Sequence, residues 1–144
     1  DIVPKRVVAY VARKLYNENY EAMPLRHQWT LFGTTLEVEY SWKRAQWNTI
    51  RVKAVEATEK IVPGSDEEFI LEHYWGYTKI NDRTTCEYKV DHPRWQVYPV
   101  RDYSIDVDFE NIYGKDFGFL KQEKPVSVFL AEGSDVIVKS KRTL

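Results

Sequence analysis

The alternation of side chains between residues 35 and 57 constrains the fold more than any other feature of this chain. From Thr35 to Lys43, Leu36, Val38, Tyr40 and Trp42 share one side while Thr35, Glu37, Glu39, Ser41 and Lys43 share the other. A period of two with one apolar face is the mark of a half-buried strand. After the polar link Arg44-Ala45-Gln46, the run Trp47 to Ala57 repeats the pattern, with Asn48, Ile50, Val52 and Ala54 opposing Thr49, Arg51, Lys53 and Val55. Two such runs joined by a short link predict an antiparallel hairpin.

Further strands follow the same logic. Thr84, Cys86, Tyr88 and Val90 alternate with Thr85, Glu87, Lys89 and Asp91. Trp95, Val97 and Tyr98 form a run interrupted by Pro93 and Pro99, which argues for an edge or a bend. In the next run Tyr103, Ile105, Val107 and Phe109 face away from Asp102, Ser104, Asp106, Asp108 and Glu110, placing four carboxylates on one strand face. Side chains two apart on a strand are separated by about 7 Å, too far to share one calcium without loop ligands, so this face is read as solvated rather than metal-binding. Val126, Val128 and Leu130, a turn at Glu132-Gly133-Ser134, and Val136-Ile137-Val138 predict two final strands before a basic end.

Helical periodicity occurs twice. From Pro4 to Tyr16, Val7, Val8, Val11, Ala12 and Leu15 recur at three- and four-residue steps, separated by Lys5, Arg6, Arg13 and Lys14. That pattern predicts an amphipathic packing helix with solvated basic residues. Ser65 followed by Glu68 is a capping-box pair, so a short helix is expected to begin near Asp66 and to end close to Gly76. Asn81-Asp82 reads as a turn, and Asn111 to Glu123 as a turn at Tyr113-Gly114 followed by a short helical or irregular segment. The whole is an α+β, β-rich chain built on antiparallel sheet, without internal repeats.

Composition bounds the function. A length of 144 residues with 43% hydrophobic content suits a single domain spanning 1–144. Lys plus Arg number 21 against 22 Asp plus Glu, which provides no broad basic surface for nucleic acid. No stretch approaches the roughly 20 apolar residues of a membrane span. The one cysteine, Cys86, forms no intrachain disulfide, which points to a reducing compartment and a cytoplasmic location. The chain has no phosphate-binding loop, dinucleotide fingerprint, Cys-x-x-Cys, His-Glu-x-x-His or Gly-x-Ser-x-Gly. His27, His73 and His92 lie in separate segments without zinc-ligand spacing, so neither metal nor cofactor is expected.

Two segments are dense in aromatic bodies with polar heads: Leu15-Tyr16-Asn17-Glu18-Asn19-Tyr20 running on to Met23-Pro24-Leu25-Arg26-His27, and Glu72-His73-Tyr74-Trp75-Gly76-Tyr77. Such a mixture suits a pocket in which a few polar groups orient a small ligand, with Arg26 as the natural carboxylate partner. It equally describes a core rim where Tyr and Trp satisfy their own polar atoms.

These segments, together with His92-Pro93-x-Trp95 and Phe129-Leu130-Ala131-Glu132-Gly133-Ser134, resemble the YqjF-like family of uncharacterised bacterial proteins (domain of unknown function 2071) across almost the whole chain. Members of that family start well upstream, so the resemblance implies that Asp1 is not the natural start and that the chain is the C-terminal portion of a longer protein. It also implies a fold similar to acetoacetate decarboxylase, a β-rich cone or barrel with an interior site. That enzyme uses a lysine Schiff base on a keto acid. Its lysines directly follow a proline, and Pro24-Leu25-Arg26 would put Leu25 at the reactive position.

Three functional readings follow. In the first, an internal pocket binds a small organic acid through Tyr16, Asn17, Arg26, His27, Glu72, Tyr74, Trp75 and Trp95, with His27 or Glu72 exchanging a proton. In the second, the chain is a lyase or hydrolase acting on a small keto acid. In the third it is an interaction module without catalysis. The expected partners are a small carboxylate ligand, a second copy in a homo-oligomer, or the missing N-terminal portion, and neither nucleic acid nor membrane.

Overall fold

The computed structural model describes residues 2–144, and Asp1, read above as an unnatural start, lies outside the described residues. Along the chain, β1 (Ile2–Val3) precedes α1 (Arg6–Val11), which continues without a break into a π-helical turn (Ala12–Tyr16). Four strands follow, β2 (Glu21–Ala22), β3 (Leu25–Phe32), β4 (Thr35–Lys43) and β5 (Trp47–Val55). Then come α2 (Asp66–Leu71), β6 (Trp75–Asn81), β7 (Thr84–Asp91), β8 (Val97–Tyr98), β9 (Val100–Asp106) and α3 (Phe109–Tyr113). A 3-10 segment (Lys115–Lys121) and the short strands β10 (Leu130–Ala131), β11 (Ile137–Val138) and β12 (Arg142–Thr143) complete the order. The elements gather into two compact units, each assembled from discontinuous stretches of sequence.

One unit comprises Met23–Lys60 and Gln96–Glu132. Its centre is a four-stranded antiparallel sheet in the order β3-β4-β5-β9. The β4–β5 hairpin turns at the predicted Arg44-Ala45-Gln46 link, and Gly33, at φ 60°, makes the tight turn between β3 and β4. Pairing aligns Trp29, Val38, Val52 and Tyr103 across the four strands, and Thr30, Glu37, Lys53 and Asp102 one step along. Because side chains alternate, the first row belongs to an apolar face and the second to a polar face. The core forms on the apolar face, where buried Leu36, Val38 and Val52 are covered by Tyr98, Val100, Val128 and Leu130. Farther along that face Tyr40, Ile50 and Ile105 remain exposed. Asn48, only 1% exposed, ties the hairpin to the next layer: its amide donates to the Gln46 carbonyl at 3.1 Å and accepts from the Asp108 N–H at 2.8 Å. On the polar face, ion pairs Arg51–Glu39 and Lys53–Glu37 run across the strands.

The other unit comprises the segment ending at Ala22, Ile61–Trp95 and Gly133–Leu144. Strand β7 is its spine. It pairs antiparallel with β6 along one edge and with β11 and β12 along the other. Helix α2 is capped as its sequence predicts, with the Ser65 hydroxyl accepting from the Glu68 N–H at 3.2 Å; the Glu68 carboxylate reaches back to the Gly64 N–H at 2.8 Å.

The antiparallel, β-rich expectation is met, and no strand pairing closes either sheet into a barrel among the described residues. Four local expectations are corrected. The segment Leu25–Phe32 is a full strand rather than part of a polar cluster. Helix α2 ends at Leu71, and Gly76 lies inside β6 rather than at a helix cap. Strand β9 stops at Asp106; Asp108 then caps α3 by accepting from the Asn111 N–H at 3.1 Å, so Asp108 and Glu110 do not extend the row of strand carboxylates. The basic end holds a short strand, β12, against β7. No helix is long and apolar enough to cross a membrane, and no cluster of metal-ligating side chains occurs, among the described residues.

Candidate functional site

An apolar-walled pocket open to solvent lies within the unit built on β7. It measures about 370 Å³. Val7, Val8, Val11 and Ala12 from the first helix and Val138 from β11 supply apolar walls, and Tyr16, Glu18, Tyr20 and Tyr88 supply the polar groups. The helix delivers its residues in an unusual way. The backbone winds as a π-helix from Ala12 to Tyr16 and ends at Asn17, whose φ of 58° places it in the left-handed region that Asn tolerates better than most residues. That abrupt reversal is fixed by the Asn17 side chain, which donates to the Lys79 carbonyl at 3.0 Å, and it turns Glu18 toward the sheet.

Glu18 is the hub of the polar end. Its Oε1 accepts from the Thr78 hydroxyl on β6 and from the Tyr88 hydroxyl on β7, the latter at 2.9 Å; neither bond uses Oε2. The Tyr16 and Tyr88 rings meet edge to face at 5.1 Å, and the Tyr16 hydroxyl lies 3.4 Å from the Lys139 carbonyl. Burial, reinforced by the hydrogen bond to Glu18, pushes the Tyr88 phenol well above its ordinary pKa, and burial followed by the Glu18 charge raises that of Tyr20. Both remain protonated at neutral pH. A β6 residue makes this arrangement possible: a Cβ on Gly76 would overlap the Tyr88 ring. Glycine lets the tyrosine lie flat over the neighbouring strand and reach the carboxylate.

A second cluster in the same unit brings together the other motif residues. The Tyr74 hydroxyl donates to Glu72 Oε2 at 2.7 Å, which raises its pKa. Tyr74 stacks on His92 at 4.7 Å, and His92 on Trp95 at 4.1 Å. The Trp95 indole N–H donates to the Ser134 hydroxyl at 3.0 Å. Arg94 pairs with Glu68 at 2.8 Å and approaches Glu72 Oε1 at 3.6 Å, beyond hydrogen-bond range. Here the aromatic side chains of the motif stack on one another, Glu72 Oε2 is satisfied by Tyr74, and Glu72 Oε1 is buried without a hydrogen-bond partner. Trp75 stands apart on β6, 48% exposed.

Arg26 and His27 belong to the unit built on the four-stranded sheet. As neighbours on β3 they project to opposite faces. The Arg26 guanidinium sits 3.9 Å above the Trp47 ring on the polar face, whereas His27 lies beside Tyr40 on the apolar face, ring centres 6.1 Å apart. Leu25, which the resemblance would set at the position of the decarboxylase lysine, pairs with Trp42 and is half-buried. A groove of about 380 Å³ on the polar face is lined by Gln28, Thr30 and the paired Glu37, Glu39, Arg51 and Lys53. The hydrogen bond to Glu37 raises the Lys53 pKa, the reverse of what a Schiff-base lysine requires.

Of the residues singled out in the sequence, the structure therefore brings Glu72, Tyr74 and Trp95 into one cluster and puts Tyr16 on the cavity. Glu18, Tyr20, Tyr88 and Val138 were missed. Glu18 and Tyr20 lie inside the Tyr16–Tyr20 motif, but nothing local tells which of its polar residues turns inward, and Tyr88 reads only as one more strand residue.

Comparison with curated proteins and with solved structures yields no match. Residues 2–135 match DUF2071, described as an uncharacterized conserved protein family. That match spans nearly all of both units, and the chain belongs to this family.

Proposed function

We propose that this chain binds a small organic molecule in the cavity beside β7. The observation that carries the reading is the shape and lining of that cavity: apolar walls with a few convergent polar groups at one end, at a volume within the usual range for small-molecule sites. Tyr16, Glu18 and Tyr20 at the polar end come from the Tyr16–Tyr20 motif, and Glu18 is held by bonds to Thr78 on β6 and Tyr88 on β7. Simple binding is favoured over Schiff-base lyase chemistry, because no lysine is among the cavity's lining residues. A cytoplasmic location and a decarboxylase-like cone for the longer family architecture are retained as parts of the proposal, on the strength of the resemblance.

A second reading rests on Arg26. Its exposed guanidinium, laid flat on Trp47, presents a planar donor fork suited to a carboxylate. Calorimetry with pyruvate and acetoacetate tests it: the acid reading expects binding that Arg26→Ala abolishes.

The cavity reading is tested by filling the space. Val138 is an exposed β11 residue on the cavity wall, so Val138→Trp should leave the sheet intact while occupying the volume. Six-carbon amphiphiles are expected to raise the melting temperature of the wild-type protein and not that of the folded variant. Equal shifts in both proteins would reject this site.

A further inference from the structure

The cavity is asymmetric in charge. Its walls contribute one carboxylate, Glu18, and three phenols, and no lysine, arginine or histidine lines it among the described residues. The Thr78 and Tyr88 hydroxyls both donate to Oε1 of Glu18, and the carboxylate shares its charge with Oε2, which neither of them uses. Beside it, the Tyr16 and Tyr88 rings stand at 66° to each other with centres 5.1 Å apart, forming an aromatic corner. Electron-rich ring faces attract a cation, and a carboxylate within the same corner adds direct charge pairing. A carboxylate ligand would instead meet the Glu18 charge at short range. The Val7, Val8 and Val11 side chains continue the apolar surface away from this corner, where a hydrocarbon chain would cover them.

We propose that the ligand class of this cavity is a primary alkylamine in its ammonium form, the head group held by Glu18 and the tyrosine corner and the chain lying along the helix valines. This rests on the binding function proposed above and commits it to a cation rather than an acid.

Matched six-carbon ligands test the assignment. Calorimetry at neutral pH with hexylammonium, hexan-1-ol and hexanoate varies only the head group. Wild-type protein is expected to bind hexylammonium about tenfold more tightly than hexan-1-ol, with hexanoate weakest. Glu18→Gln keeps an acceptor for Thr78 and Tyr88 and should bring the amine down to the affinity of the alcohol, with circular dichroism confirming the fold; if the variant unfolds, the wild-type series decides alone. Equal affinity for amine and alcohol, or tighter binding of hexanoate, overturns the cation assignment while leaving the cavity a binding site. Failure of all three to bind overturns both proposals, and sedimentation of the chain as a dimer in that case would assign the apolar walls to a second copy.

Discussion

The lock at Gly76 is the sharpest residue-level feature of the molecule. One missing Cβ allows the Tyr88 ring to cross β6, and the hydroxyl at its far end joins Thr78 in holding Glu18. Gly76→Ala should cost about 1–3 kcal/mol of stability, the usual penalty of forcing a side chain aside in a packed site. Urea unfolding would measure it, and an unchanged midpoint would show that Tyr88 moves freely. The sequence shows Gly76 as a helix stop because it follows a capped helix at a plausible distance; its partner is remote in sequence, and a cross-strand contact of that kind has no local signature. The same holds for the two half-buried phenols of this pocket. With pKa values raised in the folded state, Tyr20 and Tyr88 favour folding below the ordinary phenol range near 10, and that contribution is lost as pH rises through their folded values. Absorbance titration should therefore show a fraction of the tyrosines ionising above the ordinary phenol range, whereas a single titration step near 10 would contradict their raised values.

Among the elements, the strands read most plainly were those with strong contrast between faces. β4 matches its predicted span because its alternation is clean, and β7 does so for the same reason. β3 escaped notice because His27 interrupts its apolar face and Phe32 its polar one. β11 lies within the Val136-Ile137-Val138 run that reads as a final strand, whereas β12 is too short to show any period; side-chain charge fastens this end, Arg142 pairing with Glu87 and Lys139 with Asp91 at 3.2 Å. Hydrogen bonding to Arg142 holds the Glu87 carboxyl below its usual range, and bonds from Lys89 and Lys139 do the same for Asp91. A depressed carboxylate stabilises the fold above its unfolded pKa and loses that contribution as pH falls through the folded value. Between about pH 6 and about pH 3, the melting temperature of Glu87→Gln should therefore fall less than that of the wild type. Equal falls would mean that the pair contributes nothing to holding β12.

For the whole molecule, the division into two interleaved units separates residues that sit close in sequence. Tyr16 and Asn17 belong to one unit and Arg26 and His27 to the other, although fewer than a dozen positions part them. Composition and alternation were enough to identify an antiparallel, β-rich chain. They did not reveal which motif residues stack on one another, as Tyr74, His92 and Trp95 do, and which line the pocket, as Tyr16, Glu18 and Tyr20 do; that distinction depends on long-range pairing with β6, β7 and β11. The central claim is that the pocket beside β7 is a ligand site. A methyl-resolved nuclear magnetic resonance titration with hexylammonium tests it most directly. The account predicts saturable shifts at the valine methyls of Val7, Val8, Val11 and Val138, with Val38 and Val52 in the core of the other unit unmoved. Shifts confined to other residues, or none at saturating ligand, would contradict it.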